Sequence, residues 1–289
     1  MQTSTVSKKP LGPFKSHPNG SRLVLGALLM LAALLVSSLI RLPGILNYII
    51  PVGLILFIMV NWLMYRSENK DLGALGFDLK GRNLWFLPLG LLLGLIAESF
   101  NFLARSILKG DMLHLNASID ILALAEPILI LLPMAAAQQF LIRSYCFKKT
   151  IEISSVTVAN IIFGLIFIAM HNVFNMGLFE ALFYSIALFI SHLLFSTALL
   201  SSGTIYFAIG IHWGCNVGND HLLVSGPSDT ALVYATEQLV QNGQDPGPGL
   251  PVLLLFLIAS NIGYVLFGVL IWKWKRIRSW NTDKTGQTD

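Results

Sequence analysis

Charge is what this sequence has least of. Asp, Glu, Lys and Arg make up 12% of the 289 residues, and 55% are hydrophobic. A soluble globular domain carries about 25% charged residues. The shortage excludes that class and predicts an all-α fold, a polytopic membrane helical bundle. Cysteine is scarce as well. Cys146 and Cys215 are too few for a disulfide framework and have no metal-type spacing. Strict alternation of apolar and polar residues is missing, which excludes a membrane β-barrel. No internal repeat is visible, which argues against a transporter built from duplicated halves. The first apolar run is not followed by an Ala-x-Ala site, so it reads as a retained anchor and not as a cleavable signal.

What the chain has instead is apolar length. A bilayer helix needs roughly 20 residues, and eight runs approach that: 23–40, 45–65, 84–103, 121–142, 156–174, 178–200, 204–217 and 250–272. Residues 1–22 read as a disordered basic cytoplasmic tail, 23–272 as the membrane domain and 273–289 as a second basic cytoplasmic tail. Pro127 and Pro133 are expected to bend the fourth run, and Cys146 is expected in a cytoplasmic turn. With the N-terminus inside, sixteen of the nineteen Lys and Arg residues fall on the cytoplasmic side. The loop before the last run holds Asp220, Asp229, Glu237 and Asp245 and no cation. This bias predicts that both termini are cytoplasmic. It also accounts for the net charge of +4 by membrane orientation, so no nucleic-acid partner is implied.

Polar groups inside apolar runs are expensive and mark sites. Gln138, Gln139 and Arg143 close the fourth run, and Gln139 and Arg143 share a helical face. Phe167 and His171 follow in the fifth, with Asn172 and Asn175 just beyond. His212 and Asn216 lie in the seventh. In each of two places a His is followed four residues later by an Asn, His171 by Asn175 and His212 by Asn216. One helical turn would aim each pair into one cavity. A neutral imidazole can ligate a metal, move a proton or donate to an oxyanion, and an amide can add a donor or fix a tautomer. His192 reads equally as a packed residue between helices. Glu98 is open between pairing with Arg105, lining a cavity and sitting near the membrane face.

Three pieces in this order resemble the CPBP family of intramembrane metalloproteases, the CAAX-protease, bacteriocin-processing and Abi-type group. That family carries Glu-Glu-x-x-x-Arg, then Phe-x-x-x-His, then His-x-x-x-Asn on successive membrane helices. Phe167 to His171 and His212 to Asn216 match. In the first motif Arg143 matches, while Gln138 and Gln139 stand where the family has acids. The motif core covers 121–220, roughly a third of the chain.

The resemblance implies an endopeptidase acting on a peptide bond near the membrane face, of CAAX-like or leader and bacteriocin type. Its setting would be a multi-pass protein of a bacterial plasma membrane. Position 138 would activate the water, position 139 would pair with Arg143, and His171 would act with position 138. His212 and Asn216 would hold the oxyanion. A divalent metal such as zinc, on His171 and His212, is an expectation of the same resemblance, and membrane lipid and a peptide or membrane-protein substrate are the expected partners. Gln138 departs from this at the base. An amide has no useful basicity, and general-base help is worth on the order of 10²–10⁴-fold. The chain is therefore expected to be impaired or inactive as a protease. A non-catalytic membrane binding or immunity protein of the same fold stays open, as does a small-molecule transporter.

Overall fold

The computed structural model describes residues 18–40, 51–78, 81–116, 121–226, 228, 230–236 and 250–285. Among them ten helices run in chain order: α1 (Pro18–Leu39), α2 (Val52–Arg66), α3 (Phe86–Lys109), α4 (Ile121–Ile142), α5 (Tyr145–Ile153), α6 (Val156–Ala169), α7 (Leu178–Ser202), α8 (Ile205–Val217), α9 (Leu250–Ala259) and α10 (Ile262–Thr285). The expected tail over 1–22 lies outside the described residues up to residue 17, and α1 begins inside its remainder. At the other end α10 continues to Thr285, through most of the stretch read as a tail.

The bundle is helical and its spans are uneven. By length and apolarity four described helices can cross a membrane, or five if α9 and α10, bent by 49° at their junction, count as one. Val52–Arg66 and Val156–Ala169 are apolar but shorter, and α8 has 13 residues. Many large apolar side chains point outward, among them Leu28, Leu165, Phe179 and Ile258. Exposed apolar surface on this scale has no place in a water-soluble monomer. This is an integral membrane protein.

The centre of the bundle is a parallel pair, α3 and α8, and small residues bring it together. Gly90 and Gly94 on α3 face Gly210 and Gly214 on α8, and Glu98 continues the register onto Gly218. A Cβ on Gly90 would come within 2.8 Å of the Ile211 nitrogen, and one on Gly94 within 2.9 Å of the Cys215 nitrogen. Between helices in lipid, such close backbone approach replaces the hydrophobic drive that water would supply. The pairing explains how so short a helix as α8 sits deep in the fold, with eleven of its residues buried.

α4 holds Pro127 and Pro133 within one helix, and the helix is interrupted at Arg143–Ser144. Asn61 of α2, fully buried, satisfies the backbone there. Its amide donates to the Phe140 carbonyl at 3.1 Å, and its oxygen accepts from the Tyr145 N–H at 2.9 Å. The chain then re-enters helix as α5, so Cys146, expected in a turn, is a buried helical residue. Lys148 and Lys149 follow two and three residues on. Lys149 is nevertheless buried, held by Glu68 at 2.7 Å and by Glu152.

Two stretches read as plain polar loops carry strands. β1 (Met112–Leu115) pairs antiparallel with β3 (Val233–Thr236), and β2 (Leu223–Ser225) pairs parallel with β3. This small sheet lies at the end of the bundle where α3 and α8 finish. Strands of three and four residues are too short to announce themselves by alternation.

Candidate functional site

The four residues expected to meet do meet. Gln138 near the end of α4, His171 just past α6, and His212 and Asn216 of α8 line one cavity of about 370 Å³. Its wall continues through Phe167, Ser191 and Phe195 to Glu98, Arg105 and Asp220. It therefore extends towards the end of the bundle that carries the sheet. Arg105, Tyr184, Ala187 and Ser260 also line an adjoining, mostly apolar cavity of about 540 Å³ between α7 and α9.

Gln139 and Arg143 sit behind the wall, both fully buried. Arg143 Nη1 donates to Gln139 Oε1 at 3.1 Å, and the Gln139 amide nitrogen lies 2.8 Å from His212 Nδ1. The other arm of the guanidinium, Nη2, reaches His192 Nδ1 at 2.7 Å and the His192 carbonyl at 3.3 Å. The Phe167 and Phe195 rings lie 5.0 and 5.1 Å from the guanidinium carbon. Among the described residues no carboxylate pairs with Arg143. A cation taken out of water needs compensation. Here it comes from neutral acceptors and two aromatic faces, each worth on the order of 0.5–2 kcal/mol. His192, equally readable from sequence as mere packing, is thus the imidazole bonded directly to Arg143, and His212 is reached through Gln139.

Phe195 also stacks on His212, with ring centres 4.7 Å apart. That contact, together with 3% exposure, holds the imidazole in one orientation. Gln138 differs from its neighbour: its Oε1 is buried and finds no hydrogen-bond partner among the described residues.

The His171 expectation needs a correction. α6 ends at Ala169, so His171 and Asn175 do not share a helical face. Asn172 takes a left-handed conformation, φ +54°, and turns the chain. Asn175 donates to Asn172 at 2.5 Å and is exposed. His171 is placed instead by its own ring nitrogen. Nδ1–H donates to the Phe167 carbonyl at 2.6 Å, with the two rings 4.5 Å apart. The motif spacing Phe167-x-x-x-His171 is thus a helix C-terminal cap made by an imidazole. His212 and Asn216 do share the α8 face.

A polar cluster the sequence left open closes the far wall. Glu98, at 1% exposure, accepts from Arg105 at 3.1 Å, Tyr264 at 2.6 Å and Asn101 at 3.2 Å. Asn101 also receives the Gly263 N–H at 2.8 Å, which ties α10 to α3. Of the three readings left open for Glu98, two hold together: it pairs with Arg105 and lines the cavity. The signal was there in Glu98 and Arg105, seven apart on one helix, but Tyr264 lies too far along the chain to be read.

Among the described residues no group of three or more His, Cys, Asp or Glu side chains is placed to hold an ion, whereas zinc ordinarily takes three or four protein ligands.

A buried cation, Arg143, thus stands behind a polar cavity that Gln138, His171, His212 and Asn216 line inside apolar helices. The family model that matches this region, residues 120–218, is described as Type II CAAX prenyl endopeptidase Rce1-like. It covers about a third of the chain and is the family whose motifs the sequence resembles. No curated protein and no solved structure matches the chain.

Proposed function

We propose that this protein is an intramembrane endopeptidase of the type II CAAX kind. Its cavity receives a peptide bond from a membrane-associated substrate, and Gln138 makes its hydrolysis slow. The observation that carries the reading is the convergence of Gln138, His171, His212 and Asn216, from three separate helical segments, on one cavity. In this reading His212 and Asn216 hold the carbonyl oxygen as it gains charge. His171, whose Nδ1–H is spent on Phe167, offers Nε2 to the attacking water. Gln138 has the shape of the family's acid and can orient the water, but it cannot take its proton.

The charge pattern supports eight crossings with both ends in the cytoplasm of a bacterial plasma membrane. Arg22, Lys70 and Lys149 gather around Glu68 at one end of the bundle, and the cavity extends towards the other. The substrate is accordingly a membrane-bound or secreted peptide presented from the outer face, and surrounding lipid is the remaining partner.

The test uses the full chain in lipid nanodiscs with a membrane-tethered peptide library. Gln138→Glu is expected to raise cleavage by about 10²–10⁴-fold, and His171→Ala in that background is expected to abolish it. If Gln138→Glu stays inert on every peptide, and the unaltered protein binds none of them in a way that His212→Ala weakens, the reading is wrong.

A further inference from the structure

We infer that Gln139 is a positioning residue that fixes the proton of His212 on Nε2, so that His212 presents its cavity side only as a hydrogen-bond donor. Arg143 sets the direction of these bonds. A guanidinium has five N–H donors and no acceptor. The Gln139 atom 3.1 Å from Nη1 must therefore be the amide oxygen. That choice, usually ambiguous for an amide, is forced here. The Gln139 atom 2.8 Å from His212 Nδ1 is then the NH₂ group, which has no lone pair to offer. His212 Nδ1 must accept. A neutral imidazole has one acceptor and one donor nitrogen, so the hydrogen is on Nε2.

Arg143 Nη2 donates to His192 Nδ1 at 2.7 Å, which places the His192 hydrogen on Nε2 as well. Every hydrogen bond in the buried chain His192–Arg143–Gln139–His212 therefore points away from the guanidinium. His171 is set the opposite way by the Phe167 carbonyl, which leaves its Nε2 as an acceptor. The two cavity imidazoles are thus fixed in complementary states, one donor and one acceptor, by partners that lie outside the cavity. The stack of Phe195 on His212 opposes a ring flip that would exchange the two nitrogens.

A glutamate at 139 would reverse this. Both its oxygens accept, so it would satisfy Arg143 and demand a hydrogen on His212 Nδ1. The residue at 139 therefore decides which His212 nitrogen is protonated. That this matters to a reaction rests on the proposed peptidase reading. The proton placement does not, and it is measured without any peptide.

The experiment is ¹⁵N NMR of the full chain, labelled in its histidine imidazoles and held in nanodiscs, with the His212 signals assigned by their loss in His212→Gln. The unaltered protein is expected to show Nε2 protonated and Nδ1 bare, and Gln139→Glu is expected to protonate Nδ1. Gln138→Glu, which does not touch that nitrogen, is expected to leave Nδ1 bare. A protonated Nδ1 in the unaltered protein overturns the inference, and so does a bare Nδ1 in Gln139→Glu. Should Gln139→Glu fail to fold, the spectrum of the unaltered protein decides alone. A null result in the cleavage assay leaves this measurement standing, and the reverse holds too.

Discussion

Arg143 and Lys149 lie a short way apart on the chain and are both buried cations, yet their surroundings have almost nothing in common. Lys149 is met by two carboxylates, Glu68 at 2.7 Å and Glu152 at 2.5 Å. Glu68 in turn accepts from the Tyr145 hydroxyl at 2.6 Å and pairs with Lys70 at 3.3 Å. Arg143 is met by an amide, an imidazole and two phenyl rings. The first arrangement is a clamp. It fastens α5 to the loop after α2 by opposite charges, and either partner can be as charged as it likes. The second must leave the imidazoles neutral and directional. A carboxylate beside Arg143 would neutralise the cation more fully, but it would also take a hydrogen from His212. Stability and proton placement pull position 139 in different directions.

That contrast can be broken at its strongest point first. Lys149→Met takes the buried cation away from Glu68 and Glu152 and leaves Glu68 with Arg22, Lys70 and Tyr145, where removing one partner of a fully buried pair typically costs about 3–5 kcal/mol. The expected result is a loss near the low end of that range, read from denaturant titration in mixed micelles, because the cluster lies at the end of the bundle and water reaches its rim. A loss below about 1 kcal/mol would mean that the clamp is no more than a surface ion pair.

Gln139→Glu sharpens the other side. Giving Arg143 a carboxylate replaces a neutral hydrogen bond by a charge-assisted one. The expected gain is on the order of 1–2 kcal/mol in the same titration, accompanied by the change of tautomer described above. A variant less stable than the starting protein would show that Arg143 is already satisfied by its neutral partners.

The smallest effect is a pH dependence. Burial alone would raise the Glu68 carboxyl, but hydrogen bonds from Lys149 and Tyr145 outweigh it and hold the group at about 2, against an ordinary 4.5. A carboxyl depressed in the folded state contributes stability above its unfolded value and loses it as pH falls through the folded one. Stability should therefore decline between about pH 4.5 and pH 2, and Glu68→Gln should flatten that decline. An unchanged slope in Glu68→Gln would remove Glu68 from the clamp. Lys149 keeps Glu152 when Glu68 is protonated, so the decline is shallower than the loss in Lys149→Met.

Much of the site was readable because it is local. His212 and Asn216 are four apart on a helix that does form, and periodicity alone aims them together. Gln139 and Arg143 are readable for the same reason, and their bond is made. The same rule misled at His171 and Asn175, because it assumes the helix continues. α6 stops at Ala169, and neither Gly nor Pro stands there to announce the end. Instead an Asn adopts the left-handed turn. The glycines of α3 and α8 show a second limit. Gly90 with Gly94 and Gly210 with Gly214 are each a recognisable small-residue spacing, but nothing in either helix says that the other is its partner. The strands at 112–115 and 233–236 were missed because a strand that short draws its stability from its neighbour.

What the amino-acid sequence settled by itself is the solvent and the periodicity. Long apolar runs with little charge can lie only in lipid, and in lipid the backbone must bond within its own helix. Those two facts fix a helical membrane protein and line up Gln139 with Arg143 and His212 with Asn216. The tertiary structure alone decided the direction of the hydrogen bonds. His192 comes from α7, His212 from α8, and Gln139 and Arg143 from the end of α4 and the break after it, and a hydrogen on an imidazole or an amide is assigned only by what stands opposite it. No spacing along a chain carries that information.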